Sequence, residues 1–373
     1  MAKNIVLSCK LASSLVVLSL FLLTAFSCSK AEVKGMFVFG SSLVDNGNNN
    51  FLKNSTAKAN YSPYGIDFPL GPSGRFSNGR NTIDVLGELL HLPGFLPPFA
   101  DPRTQGAEIL HGVNFASGGS GILDETGSLA GEVLSLNQQI WNFENKTLPD
   151  LKAQLRGRGD DGFSDGFLSE YLFVIGTGGN DYLLNYFVPG QTQKPSLLQF
   201  TQLLVSQLTR QLKKLYDVGA RKFVLFSIQP IGCIPVVRAN LPVSNGSCIE
   251  QLNEAALLFN DDLKALATNL KLLLPGSNLV FVNSYHIMRA FIDEPLSYGF
   301  SDGSTACCEL PSQAPEAILC KRGGMVCSNR TAHVFFDGLH PTDAVNFKIA
   351  QKAYNSCLLE DAYPSNVKQL AQL

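Results

Sequence analysis

Residues 36–50 read Met-Phe-Val-Phe-Gly-Ser-Ser-Leu-Val-Asp-Asn-Gly-Asn-Asn-Asn, and the fold is decided by this stretch. The four consecutive apolar residues Met36 to Phe39 predict a strand covered on both faces, as in a parallel sheet. Glycine, serine and asparagine then end the strand, since they suit turns and tolerate left-handed backbone. Ser41 and Ser42 are therefore expected at the carboxyl edge of the sheet, where open α/β folds place their ligand sites.

Similar apolar runs recur along the chain, and helical patterns separate them. The other predicted strands span residues 112–116, 171–175, 222–226 and 279–282. Helical spacing covers about 82–90, 134–156, 196–216, 252–273 and 342–359, with Thr342 as a candidate N-cap. This alternation predicts an α/β fold with a five-stranded, mostly parallel sheet and helices on both faces.

Two long irregular stretches, residues 51–80 and 295–335, interrupt this pattern. Loops of this length are usually functional rather than simple connectors. The sequence shows no internal repeat and no linker, so residues 30–373 are expected to form a single domain.

The composition indicates a globular protein without a basic surface. Of the 373 residues, 45% are hydrophobic and 16% are charged, and the formal net charge is −2. Such a balance gives no electrostatic reason to expect nucleic acid or an anionic membrane as a partner.

Residues 1–29 have the pattern of a secretory signal peptide. Lys3 and Lys10 precede an apolar run over 11–26, and small residues follow at Ser27 and Ser29. The apolar run is too short and wrongly flanked for a stable span, which disfavours a retained membrane anchor. No other segment reaches spanning length, so we expect no integral membrane segment after cleavage and a secreted, extracellular or cell-wall location.

Sequons and cysteines also fit an oxidising, extracellular compartment. The candidate glycosylation sites are Asn54, Asn60, Asn145, Asn245 and Asn329. Seven cysteines follow the leader, and four of them lie within residues 307–327. Disulfides are the favoured interpretation over a zinc site, because adjacent Cys307 and Cys308 do not have the usual ligand spacing. The odd number leaves one thiol free, and the pairing is open.

Residues suited to acyl transfer follow three predicted strands and lie near the end of the chain. Ser42, Gly118 and Asn180 each follow a strand, which places them along one sheet edge. Asp337 and His340 are three residues apart, so the carboxylate can hold the imidazole that activates a serine. We expect Ser42 as nucleophile, with Ser42, Gly118 and Asn180 as donors to an oxyanion. This chemistry requires no metal and no organic cofactor.

The chain at this point resembles the plant GDSL-type esterases and lipases, within the SGNH hydrolase superfamily. The blocks that carry the resemblance are residues 37–50, 74–80 (Gly-Arg-Phe-Ser-Asn-Gly-Arg), 112–121, 178–181 (Gly-Gly-Asn-Asp), 230–235 and 337–342 (Asp-Gly-Leu-His-Pro-Thr). The resemblance implies a flavodoxin-like three-layer α/β/α domain and a small-molecule or lipid ester as substrate. It also implies Ser42, Asp337 and His340 as the catalytic triad, and Gly118 and Asn180 as oxyanion donors.

One position departs from the family pattern. The family block reads Gly-Asp-Ser-Leu, whereas this chain has Gly40-Ser41-Ser42-Leu43. A carboxylate at position 41 could hold the nucleophile turn, and serine is shorter and uncharged. We therefore expect reduced rather than absent activity in a secreted serine ester hydrolase that forms a covalent acyl-enzyme. Two alternatives remain open: an acyltransferase that uses the same site, and a catalytically impaired secreted glycoprotein that binds without turnover.

Overall fold

A computed structural model describes residues 33–157, 166–190, 194–240, 247–311 and 318–373. The predicted signal peptide and the sequon at Asn245 lie outside these residues. Residues 32–373 group together as one unit by their internal contacts.

The strands of the described residues build one large sheet and one small one. They are β1 (Gly35–Gly40), β2 (Gly112–Asn114), β3 (Tyr171–Gly176), β4 (Lys222–Phe226), β5 (Asn278–Val282), β6 (Asp302–Ala306), β7 (His333–Phe335) and β8 (Ala362–Tyr363). The large sheet has the order β2-β1-β3-β4-β5-β8, and the strands from β2 to β5 are parallel. The expected α/β fold with a mostly parallel sheet is confirmed.

The expectation of five strands is wrong, because the large sheet of the described residues has six. The additional strand β8 pairs antiparallel with β5 through Phe281–Tyr363 and Val282–Ala362. A two-residue strand has no apolar run or alternation that could be recognised in a sequence. The small parallel sheet of β6 and β7 lies within residues 295–335, which the sequence pattern presented as irregular.

Helices cover both faces of the large sheet. They are α1 (Thr82–Leu89), α2 (Leu136–Asn142), α3 (Leu148–Gly157), α4 (Gly179–Asp181), α5 (Leu197–Asp217), α6 (Pro235–Asn240), α7 (Glu250–Leu273), α8 (Ser284–Asp293), α9 (Asp343–Asn355) and α10 (Val367–Ala371). Thr342 is the N-cap of α9 as expected, but its hydroxyl donates to the His333 carbonyl (2.8 Å) rather than capping the helix. In the described residues, no helix is both long and apolar enough to cross a membrane.

The two faces of the central strands carry different side chains. Phe37, Phe39 and Phe173 pack on one face with α5 and α7, whereas Val38 and Val174 pack on the other face with α1 and α9. This division follows from the two-residue period of a strand, which sends successive side chains to opposite faces. β1 lies in the interior of the sheet, between β2 and β3. The strand order reverses at β1, so its carboxyl end lies at the crevice that this reversal creates.

Candidate active site

Ser42 lies in the turn that begins where β1 ends. Gly40 has a φ of 147°, and a Cβ at this position would lie 2.2 Å from the Gly176 carbonyl oxygen, so only glycine fits. The Ser41 N–H donates to the same carbonyl (3.0 Å). Buried Gln139 accepts from the Gly40 N–H (2.8 Å) and donates to its carbonyl (2.9 Å). Hydrogen bonds to the main chain therefore hold the start of the serine turn.

The structure brings together Ser42, His340 and Asp337, which are far apart in the sequence. The distance from His340 Nε2 to Ser42 Oγ is 2.7 Å, and His340 Nδ1 lies 2.8 Å from Asp337 Oδ2. All three side chains are buried. Because a carboxylate only accepts, we place the imidazole proton on Nδ1, which leaves Nε2 to accept from the serine hydroxyl.

Asp337 is held by more than the imidazole. Its Oδ1 accepts from the backbone N–H groups of Leu339 (2.8 Å) and His340 (2.7 Å). Its Oδ2 accepts from the hydroxyl of Tyr64 (2.6 Å), which in turn accepts from the Cys320 N–H (3.0 Å). Burial and the negative charge of Asp337 raise the pKa of Tyr64 well above its ordinary value, so the phenol stays a donor.

Tyr64 and Phe76 are site residues that the sequence reasoning missed. Both come from the long loop over residues 51–80, and the Phe76 ring packs against the His340 ring with centroids 4.9 Å apart. The length of this loop was a signal of function, but nothing in its sequence indicates which aromatic residue reaches the histidine. His333, the other histidine close to this end of the chain, lies 4.0 Å from Asp302 instead.

The three expected oxyanion donors differ in their present hydrogen bonds. Within the described residues the Ser42 N–H meets no acceptor. Asn180 Nδ2 donates one hydrogen to the Ser120 carbonyl (2.9 Å), and the amide carries a second hydrogen. Gly118 is different, because its N–H donates to buried Asp45 Oδ2 (3.0 Å). A Cβ on Gly118 would lie 2.6 Å from the Phe76 ring, which explains why this position is glycine.

A cleft opens beside Ser42 at the carboxyl edge of the sheet. Among the described residues, those that line it include no Asp, Glu, Lys, Arg or His. Apolar groups form most of its surface, with contributions from Leu183, Ile228 and Ile234. Ser41 and Thr177 also line the cleft, and the buried Thr177 hydroxyl has no hydrogen-bond partner in the described residues.

The candidate glycosylation sites within the described residues are exposed. They are Asn54, Asn60, Asn145 and Asn329.

The cysteines of the described residues are paired except for one. They form the disulfides Cys233–Cys248, Cys307–Cys327 and Cys308–Cys320, and Cys357 is free and exposed. The expectation of disulfides with one thiol left over is confirmed, and the four cysteines of residues 307–327 are paired with one another rather than available to zinc.

Asp181 is a buried carboxylate that holds the loop after residues 112–121. It accepts from the N–H groups of Ile122 (2.9 Å) and Leu123 (3.0 Å) and from the Thr126 hydroxyl (2.8 Å). Burial raises the pKa of Asp181 from its ordinary value of 3.8 to about 6, although these hydrogen bonds oppose the shift. Keeping this carboxyl ionised near neutral pH therefore lowers the free energy of unfolding.

The raised pKa of Asp181 predicts a pH-dependent effect of Asp181→Asn on stability. A carboxyl with a higher pKa in the folded state contributes its full stability below pH 3.8, and the contribution is lost as pH rises through about 6. We expect the free energy of unfolding of the parent, relative to the variant, to fall by up to ~3 kcal/mol from roughly pH 4 to pH 7, since one pKa unit is worth ~1.4 kcal/mol. Denaturant titrations across this range measure the difference, and a pH-independent value would contradict the assignment.

Comparisons with known proteins show which family the chain resembles. The family model for GDSL-like Lipase/Acylhydrolase matches residues 36–353. The Arabidopsis thaliana GDSL esterase/lipase At1g29670 is 40% identical over 348 residues, which cover 92% of this chain and 93% of that protein. The Arabidopsis thaliana GDSL esterase/lipase At5g08460 is 42% identical over 350 residues, which cover 92% of this chain and 89% of that protein.

Family membership follows from both findings, because the family model spans most of the chain and the relatives match it nearly from end to end. The chain belongs to the GDSL-like lipase/acylhydrolase family, and it is a carboxylic ester hydrolase of the GDSL esterase/lipase type.

Proposed function

We propose that the protein is a secreted serine ester hydrolase that works through a covalent acyl-enzyme on Ser42. The observation that carries the proposal is the buried chain of contacts from Ser42 Oγ to His340 Nε2 (2.7 Å) and from His340 Nδ1 to Asp337 Oδ2 (2.8 Å). A serine within hydrogen-bond reach of a base, with that base oriented by a third group, is the arrangement that activates a nucleophile.

The proposed reaction has two halves. His340 takes the Ser42 proton while Oγ forms a bond to the ester carbonyl carbon, and the carbonyl oxygen becomes an oxyanion. The intermediate then collapses, the bond to the alcohol oxygen breaks, and the alcohol leaves with the proton from His340. Water repeats the sequence on the acyl-enzyme and releases the acid. Asp337 stabilises the imidazolium in both halves, and Tyr64 supports Asp337 through its hydroxyl.

The oxyanion is proposed to bind to the Ser42 N–H and to the second hydrogen of Asn180 Nδ2. Both groups lack a competing acceptor in the described residues. Gly118 can supply its own N–H only after the bond to Asp45 is broken, so the other two groups are the proposed direct donors.

The substrate is proposed to be an ester with an uncharged acyl group, including lipid esters. The cleft beside Ser42 has mostly apolar walls, and the part of the chain that the structure describes places no ionisable side chain in its lining. A charged acyl group would lose its hydration there without gaining a partner of opposite charge. An aliphatic acyl chain gains from the same transfer, because apolar surface is removed from water.

Secretion is proposed because residues 1–29 have the pattern of a signal peptide and because the mature chain has disulfides and sequons. Residues 1–29 would be removed as a signal peptide, and residues 30–373 would be the mature single domain. The three disulfides and the four exposed sequons suit an extracellular or cell-wall location.

The first test of the proposed function is covalent labelling of Ser42. We expect a fluorophosphonate to add once to the secreted protein, at Ser42, and peptide mass spectrometry to locate the adduct. Ser42→Ala should lose both the adduct and ester hydrolysis, whereas Ser120→Ala, which removes another buried serine, should keep the adduct. A folded parent protein that is not labelled would contradict the proposal and favour the binding glycoprotein.

Tyr64→Phe is expected to reduce kcat about ten-fold with little change in KM. The variant keeps the ring but removes the hydroxyl that donates to Asp337 Oδ2. A hydrogen bond to a charged group contributes ~1.5–3 kcal/mol, and the carboxylate must stay oriented while the imidazolium forms. Steady-state kinetics on a chromogenic ester measure the effect. Tyr61→Phe is the matched control, since the Tyr61 hydroxyl donates to the Cys320 carbonyl and not to Asp337. Equal kcat in both variants would refute the role of Tyr64.

Ser41→Asp tests whether the departure from the family pattern lowers activity. Gly40 pairs with Gly176 in the sheet, so positions 41 and 177 are neighbours at its edge, and the Thr177 hydroxyl lacks a partner. A longer carboxylate can accept from that hydroxyl, and a net hydrogen bond contributes ~0.5–1.5 kcal/mol. We expect kcat to rise several-fold in Ser41→Asp and the gain to vanish when Thr177→Val is added. An unaltered rate of ester hydrolysis in Ser41→Asp would show that the idea is wrong.

A further inference from the structure

The serine turn continues into a segment rich in asparagine, and two of its side chains, Asp45 and Asn49, contact Gly118. Neither side chain touches the triad, so the proposed reaction does not yet use them. Both are buried, with 0% and 1% of their surfaces exposed. Polar groups this deeply buried need hydrogen-bond partners, so their partners indicate what they hold in place.

Asp45 holds the N–H side of Gly118. Its Oδ1 accepts from the N–H groups of Gly47 (2.7 Å) and Asn48 (2.9 Å), which closes the turn after the nucleophile. Its Oδ2 accepts from the Gly118 N–H (3.0 Å). Arg75 is the cation whose charge acts on Asp45, but its guanidinium forms a bidentate pair with Asp84 (2.6 and 2.7 Å). The carboxylate is therefore compensated mainly by backbone N–H groups.

Asn49 holds the carbonyl side of Gly118. Its Nδ2 donates to the Gly118 carbonyl (2.8 Å) and to the Ala57 carbonyl (2.8 Å). Its Oδ1 accepts from the Ser117 hydroxyl (2.5 Å). The two side chains thus constrain the peptides on both sides of Gly118, and both come from the turn that carries Ser42.

This arrangement constrains the direction of the next N–H group relative to Asn49. In a trans peptide the N–H and C=O point in opposite directions, so fixing the Gly118 carbonyl on Asn49 turns the Gly119 N–H away from Asn49. Within the described residues the Gly119 N–H meets no acceptor. Gly119 has a φ of 84°, a left-handed conformation that glycine adopts at little cost.

We propose that Asp45 and Asn49 are positioning residues that aim the Gly119 N–H at the oxyanion. This inference rests on the proposed function. Gly119 then joins the Ser42 N–H and Asn180 Nδ2 as a donor. The role of Gly118 is to hold the peptide bond to Gly119 in a fixed orientation, and its own N–H stays bound to Asp45. Because one turn carries the nucleophile and both positioning side chains, it also sets the distance between the attacking oxygen and this donor.

Asp45→Asn and Asn49→Asp are the decisive variants, because each is nearly isosteric and removes one side of the constraint. In Asp45→Asn the amide oxygen can still close the turn, while the NH₂ group faces the Gly118 N–H and cannot accept from it. In Asn49→Asp the carboxylate cannot donate to the Gly118 carbonyl. Asn50→Asp is the matched control, since Asn50 Nδ2 donates to the Ser73 carbonyl and does not contact Gly118.

The measurements are kcat and KM on a chromogenic ester, the affinity of a trifluoromethyl ketone inhibitor, and the thermal unfolding midpoint. Removing an oxyanion donor costs about 10²–10³-fold in kcat, so a misdirected donor should cost at least ~10-fold. We expect kcat and inhibitor affinity to fall together in Asp45→Asn and in Asn49→Asp, with KM within about two-fold of the parent. Asn50→Asp should retain both parent values.

The outcomes separate this inference from the proposed function. A labelled Ser42 in the parent, with unchanged kcat in both folded variants, would overturn the positioning role and leave the proposed function intact. A fall in kcat with unchanged inhibitor affinity would also overturn it. Such a result would mean that the substitution impairs the enzyme without weakening the binding of the oxyanion. A parent protein without labelling at Ser42 would reject the proposed function and this inference with it. If one variant does not fold, the other decides.

Discussion

The close approach of β1 and β3 at Gly40 and Gly176 is the constraint on which the site depends. A side chain at Gly40 would collide with the Gly176 carbonyl, so the strand can end here only with glycine. This contact lets the Ser41 N–H bond to Gly176 and lets Gln139 bind both polar groups of the Gly40 backbone. The position of Ser42 relative to β3, and so to Asn180, follows from these hydrogen bonds.

The histidine side of the site depends on the loops rather than on the sheet. Tyr64 links Asp337 to the Cys320 N–H, and the disulfide Cys308–Cys320 ties that segment to the edge of the small sheet. The Gly338 N–H also donates to the Ile318 carbonyl (2.8 Å). The cysteine-rich region therefore supports the carboxylate that binds His340, which connects the disulfides to the proposed catalytic site besides their effect on the unfolded chain.

Buried carboxylates recur around the loop that follows β2. Asp45 and Asp181 bind its backbone N–H groups from opposite ends, and burial raises the pKa of each to about 6. Burying a carboxylate without an ion-pair partner costs folding free energy. What the chain gains is a loop of fixed conformation beside Ser42, the proposed nucleophile. In the proposed reaction, donors that are fixed in advance would stabilise the developing oxyanion without reorganisation.

The sequence by itself determined the α/β class, five of the six strands of the large sheet in the described residues, and the residues that meet at its edge. These features depend on local patterns: apolar runs, helical spacing and the turn residues after each strand. Only the tertiary structure decided that β8 joins the sheet, that Tyr64 and Phe76 complete the histidine environment, and that the Gly118 N–H binds Asp45. Each of these is a contact between segments distant in the sequence, and its partner depends on how the long loops pack, which no local pattern encodes.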